Sequence, residues 1–148
     1  MKRSISSENV SNKKARFDIQ ELIIQAMEAL EDHEYKKCLE ICKKILDIES
    51  EHPDALVFAG LSWVSLGRHE SAKPYLHDAI QRNTSHLVVA HNTLGDIYES
   101  EYLYETAIDH FEQSVKYDPR LSLEYALYSG NFLIQLLGHV GNTERKSR

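Results

Sequence analysis

Two cysteines stand four apart, Cys38 and Cys42. On a helix that spacing puts both sulfurs on one face, where thiolates can hold a metal. A closed site needs further ligands, and only His33 lies near in sequence. The same two positions fall on core places of the repeat described below, so buried structural thiols are expected. The histidines are scattered: His33, His52, His69, His77, His86, His91, His110 and His139. None forms a two-histidine zinc motif on one helix face, and His86 and His91 fall on different faces. Acid pairs such as Glu49/Glu51 and Glu99/Glu101 fit solvated surfaces. There is no Gly-rich phosphate loop and no serine elbow. No catalytic, cofactor-binding or metal-binding residue is assigned, no cofactor is implied, and the chain is expected not to be an enzyme. A catalytic constellation gathered from distant repeats is the enzymatic alternative. Lys13-Lys14-Ala15-Arg16, with Lys2-Arg3 upstream, matches a short basic nuclear-import pattern. Its residues Lys13, Lys14 and Arg16 are the import candidates, and the expected localisation is nucleus and/or cytoplasm.

Charge decides which partners suit the chain. Lys2, Arg3, Lys13, Lys14 and Arg16 against Glu8 make the first sixteen residues +4. Arg145, Lys146 and Arg148 against Glu144 make residues 139–148 +2. The whole is −6, so the body between carries −12. An acidic body disfavours a nucleic-acid face, because phosphates need clustered Lys and Arg. No direct nucleic-acid partner is expected. No apolar run approaches the roughly 20 residues of a membrane span, so no membrane partner is expected either. The basic start has no apolar h-region of a secretory signal. Two cysteines make no disulfide framework, which fits a reducing compartment.

Between the ends, apolar residues recur at threes and fours. Ile19, Leu22, Ile23, Ala26, Met27 and Leu30 form one such run, and Cys38, Leu39, Cys42, Ile45 and Leu46 the next. Strand-like alternation is absent. The spacing predicts helices over 18–31, 34–48, 53–66, 69–82, 87–100, 103–117 and 121–137. Pro53 suits a first helical turn, Gly67 a left-handed stop, and Pro74 mildly bends the fourth helix. Residues 1–17 and 139–148, polar and basic, are expected to be disordered tails around a repeat domain at 18–138.

An internal repeat is the most informative feature. At an offset of 35, Gly60 falls on Gly95, Trp63 on Tyr98, Ala72 on Ala107, Leu76 on Phe111 and Ala79 on Ser114. A weaker copy lies earlier. There Ala26 takes the Gly place, Ala29 the Trp/Tyr place, and Cys38, Cys42 and Ile45 the small, large and small places. The repeats span 19–52, 53–87 and 88–121. Two antiparallel helices pack closely only where a small residue on one meets a bulky residue on the other. Gly60, Gly95, Ala72 and Ala107 are the small partners; Trp63, Tyr98 and Phe111 fill the holes. A terminal helix at 122–138 continues the period. It is apolar, with Leu123, Tyr125, Phe132 and Leu136 among its residues and Glu124 its only charge. It is either a cap packed on the last repeat or a face for self-association.

The pattern resembles the tetratricopeptide repeat (TPR). The third repeat carries it best, with Leu94, Gly95, Tyr98, Ala107, Phe111 and Pro119, and departs at His91 and Ser114. The resemblance implies an all-α, right-handed α-solenoid of three TPR helix pairs plus a C-terminal helix. It also implies a concave groove lined by the first helix of each pair. In this chain that face includes Ile23, Met27, Leu30, Val57, Phe58, Leu61, Val64, Asn92, Asp96 and Glu99. No Lys or Arg falls at the groove positions, unlike the chaperone-binding members that clamp a carboxylate. An apolar groove suits an extended or helical apolar segment. The expected function is a non-catalytic adaptor that binds a protein segment (peptide or helix) within a larger complex. The stretches EYKKCLEICKKIL and ALVFAGLSWVSLG also look like the N-terminal repeats of the large TPR subunit of the superkiller complex. That likeness implies, as an alternative, a subunit of an RNA-processing or RNA-decay assembly.

Overall fold

A computed structural model describes residues 2–82 and 84–129. These residues form seven helices in order, with no strand among them. They are α1 (Lys2–Glu31), α2 (Tyr35–Ile48), α3 (Pro53–Ser65), α4 (His69–Ile80), α5 (Leu87–Ser100), α6 (Tyr104–Tyr117) and α7 (Pro119–Ser129). The chain divides into two compact units, residues 1–75 and 76–148, and the division falls inside α4. In the first unit α1, α2 and α3 pack on one another; in the second, α5, α6 and α7 do.

The repeat is written in the turn hydrogen bonds as well as in the side chains. α1 ends where His33 N–H donates to Leu30 C=O and Glu34 N–H to Ala29 C=O. α3 ends where Gly67 N–H donates to Val64 C=O and Arg68 N–H to Trp63 C=O. α5 ends where Tyr102 N–H donates to Glu99 C=O and Leu103 N–H to Tyr98 C=O. All three are the same paired helix stop, built on a left-handed residue. That residue is His33 (φ 58°), Gly67 (φ 76°) and Tyr102 (φ 63°) in turn. Only the second is the glycine that such a stop favours, so the sequence marks one of three identical turns.

Helix starts are built locally. Pro53 opens α3, and His52 Nδ1 accepts from Ala55 N–H at 3.4 Å. Asp118 Oδ1 accepts from Leu121 N–H at 3.0 Å, capping α7 behind Pro119. Pro74 lies inside α4, which continues to Ile80.

The core follows the predicted small and large places. Cys38, Ala72 and Ala107 are fully buried at one level of the repeat, and Leu76 and Phe111 at the next. Cys42 is 1% exposed there. Ile45, Ala79 and Ser114 fill the third level. Cys38, Cys42 and Ile45 form one cluster with Ile19, Ala26, Ala29, Ile41, Ala55, Phe58 and Ala59. Ala107 and Phe111 anchor another with Tyr98 and Val115. Ser114 stands where the repeat usually has Ala. Its Oγ donates to Ser122 Oγ at 2.8 Å, both groups buried, so a polar pair joins α6 to α7 there.

Three expectations need revision or restriction. Residues 2–17 are helical, as the beginning of α1, and not an irregular tail. The segment has no Pro or Gly, and extending an existing helix needs no new nucleus. Its described side chains Asn12, Lys13, Lys14 and Arg16 are exposed. Trp63, expected to fill a hole between helices, is half-buried and borders a cavity described below. The terminal helix is described only as far as Ser129. Leu123 and Tyr125 are exposed on it (41% and 38%), while residues 130–138 and the tail at 139–148 lie outside the described residues.

Candidate functional site

The predicted groove residues fall on different sides of their helices. On α1, Met27 is 41% exposed, and its neighbour Ile24, on the same expected face, is 57% exposed. Ile23 and Leu30 are half-buried against the core of the first unit. On α3, which packs against α1, Leu61 and Val64 are also half-buried. These four α1 positions, with Leu61 and Val64, are the apolar groove residues of the first unit that keep some exposure.

Val57 and Phe58 do not belong to that face. They are 0% and 4% exposed, and Phe58 sits in the core cluster. The physical reason is the composition of α3. PDALVFAGLSWVS is apolar nearly all round, so periodicity cannot separate an outer face from an inner one.

In the second unit, Asn92, Asp96 and Glu99 lie on α5 as expected. Asp96 and Glu99 are half-buried. Asn92 is a correction: it is 5% exposed, so it does not line an open surface. Among the described residues neither Nδ2 nor Oδ1 of its amide has a hydrogen-bond partner. A buried amide in that state costs on the order of 1–3 kcal/mol. Thr93, next to it, is satisfied internally by donating Oγ1 to Val89 C=O at 2.6 Å.

The second unit also gathers a group that spacing in sequence does not reveal. His77 of α4, His91 of α5 and His110 of α6 meet with Tyr98 and Tyr117. His77 Nε2 and the Tyr98 hydroxyl share a hydrogen bond of 2.7 Å. His91 Nδ1 and His110 Nδ1 share one of 3.2 Å. Tyr98 stacks on His110 with centroids 5.5 Å apart and an interplanar angle of 8°. His110 abuts His91 at 5.4 Å, and His91 stacks on Tyr117 at 5.8 Å. The rings therefore run in a line, Tyr98, His110, His91, Tyr117. Burial is the main force holding the His91 imidazole down to about 4, with His110 and His77 adding repulsion of the charged form. Burial and His77 also lower His110, while Asp109 acts the other way. At neutral pH these two rings are uncharged, and they pack as flat, partly polar plates. His91 occupies the place where the repeat favours Trp, and the ring line does the filling that a single indole would do. The signal was present at that one departure, but its partners come from other helices.

The thiols are structural. Cys38 and Cys42 are 0% and 1% exposed, with sulfurs 3.9 Å apart. The adjacent Cys38 sulfur and burial push the Cys42 thiol far up, keeping it protonated. Among the described residues no three His, Cys, Asp or Glu are grouped so as to hold a metal. Nor is any helix among them long and apolar enough to cross a membrane. Lys13, Lys14 and Arg16 are exposed on α1.

A helical hairpin with small residues at fixed places, Ala26, Gly60 and Gly95, repeated at 34 and 35 residues, defines a helical repeat protein. Residues 88–121 match the family model of the tetratricopeptide repeat, so this segment, α5 and α6 with the start of α7, is a tetratricopeptide repeat. Such repeats are in general protein–protein interaction modules. No curated protein matches the chain. The likeness to the superkiller subunit rests on the quoted stretches alone.

Proposed function

We propose that the chain is a non-catalytic adaptor that docks an apolar protein segment on the α1/α3 face of its first unit. The observation that supports this is the exposure of Ile24 and Met27 beside half-buried Ile23, Leu30, Leu61 and Val64. Long apolar side chains left in water on adjacent turns lose about 25 cal/mol for every Å² not covered. A partner helix or strand that covers them recovers that free energy. The acidic body disfavours nucleic acid as the ligand of this face.

The test compares two baits in affinity purification with mass spectrometry. One is the intact chain. The other carries Ile24→Ser, Met27→Ser and Leu61→Ser, with circular dichroism confirming that it folds. A partner held by the first and lost from the second assigns the face. Identical captures overturn it and move the search to α7. In the same framework the basic cluster Lys13, Lys14 and Arg16 serves as an import signal. Replacing the three by Ser in a fluorescent fusion shifts the protein out of the nucleus if so, and leaves its distribution unchanged if not.

A further inference from the structure

A second concavity, of about 950 Å³, opens between α2, α3 and the first turns of α4, all within the first unit. Its floor is apolar. Leu39 and Leu46 of α2, Trp63 of α3 and Tyr75 of α4 line it, all half-buried, with Cys42 and Ala59 at its base. This volume is in the range of small-molecule sites, which run to about 1,000 Å³. In the third repeat the Trp63 place is taken by Tyr98, which packs on Phe111 and bonds His77. Trp63 instead borders open space.

Charge around the cavity is polarised. Short turns join α2 to α3 and α3 to α4, so α2 and α4 run in the same direction and begin at the same end. Lys36 in the first turn of α2 and Arg68 just before α4 both line that end, with Ser71. Both cations are exposed, and neither side chain pairs with a carboxylate among the described residues. The starts of two helices add partial positive charge at the same place. Further along, Lys43 is offset by Glu40 and Asp47. The cavity is thus cationic at one end and apolar along its length.

We infer that this cavity binds an amphipathic carboxylate with an unbranched apolar chain, of the fatty-acid class. The carboxylate lies at the Lys36/Arg68 end and the chain runs past Leu39, Trp63 and Tyr75. This site is independent of the α1/α3 face: it shares α3 with that face but uses none of its residues.

The chain's single tryptophan reports on it directly, because Trp63 is a wall of the cavity. Intrinsic fluorescence is followed as decanoate is added to the full chain below its micelle concentration, with decanol as the uncharged counterpart. The expected result is a saturable change with decanoate and a markedly weaker one with decanol. K36E/R68E, two exposed changes that leave circular dichroism intact, weakens decanoate at least about tenfold. K13E/K14E, on α1, leaves it unchanged. The inference is overturned by the absence of a saturable change, by equal binding of decanol, or by equal loss in K13E/K14E. It is also overturned if K36E/R68E has no effect. A peptide ending in two leucines and a free carboxylate that binds more tightly than decanoate overturns it as well, in favour of a peptide C-terminus.

Discussion

Gly95 of α5 lies directly under the ring of Phe111 of α6, so close that a Cβ at position 95 would overlap the ring, 2.7 Å from Cζ and nearer still to Cε1 and Cδ1. The contact is why α5 and α6 approach as they do, and Phe111 is fully buried on the other side of it. Gly95→Ala forces the ring or the helix to move, and Phe111 is fully buried. The expected cost is about 1–3 kcal/mol, the range for overpacking a core. Phe111→Leu in the Gly95→Ala background removes the clash, so the two changes together cost less than their sum. Chemical denaturation of the two single variants and the double variant checks this.

The histidine line makes stability depend on pH. His91 and His110 have folded-state values below the ordinary histidine value of 6.5, so the unfolded chain binds protons more readily than the folded one. Stability is therefore full above about pH 6.5 and falls as the pH drops toward about 4, where His91 titrates when folded. For His91 the loss across that window is at most about 3 kcal/mol. His91→Phe keeps a ring between His110 and Tyr117 but removes the titrating group. Its thermal midpoint is expected to fall less than that of the parent between pH 7 and pH 5. Equal falls for both proteins, followed by differential scanning calorimetry, would sink the assignment.

How far the sequence disclosed this depended on whether a feature lies within one helix pair. The alternation of Ala26, Gly60 and Gly95 against bulky partners was legible, because the geometry of a helix hairpin requires it at each repeat. The break at Gly67 was legible for the same local reason. The equivalent stops at His33 and Tyr102 were weakly marked, because backbone hydrogen bonds from the preceding turn impose the left-handed conformation on residues that do not prefer it. Val57 and Phe58 were misplaced because α3 is apolar on every side. The group of His77, His91 and His110 was invisible because its members come from three helices, and only their packing sets them in contact. The helix over residues 2–17 went unread because composition records what a segment can bury, whereas a helix already begun extends without a new nucleus.

Tyr102 tests the backbone account of the turns. It holds φ 63° with its side chain 77% exposed, so its ring contributes little to folding. Glycine enters that conformation without the Cβ penalty. Tyr102→Gly is expected to stabilise the chain by roughly 0.5–1 kcal/mol, less the entropy that glycine adds to the unfolded chain. Gly67→Ala, at φ 76° with nothing within 4 Å of the added Cβ, is expected to destabilise by about the same amount through backbone strain alone. Opposite shifts in the thermal midpoints of these two variants support one common turn geometry; shifts of the same sign refute it.

Asn92 sets stability against function. Its amide is buried and has no hydrogen-bond partner among the described residues, which costs free energy in the chain by itself. Leucine has nearly the same shape and no polar atoms to desolvate. Asn92→Leu is therefore expected to raise stability by about 1–2 kcal/mol in a denaturant titration. If the amide is kept for a partner that reaches α5, the same variant loses that partner while becoming more stable, and the two-bait comparison run with it separates the effects. A variant that is less stable than the parent would mean that the amide is satisfied in solution, and that Asn92 holds the helix in place.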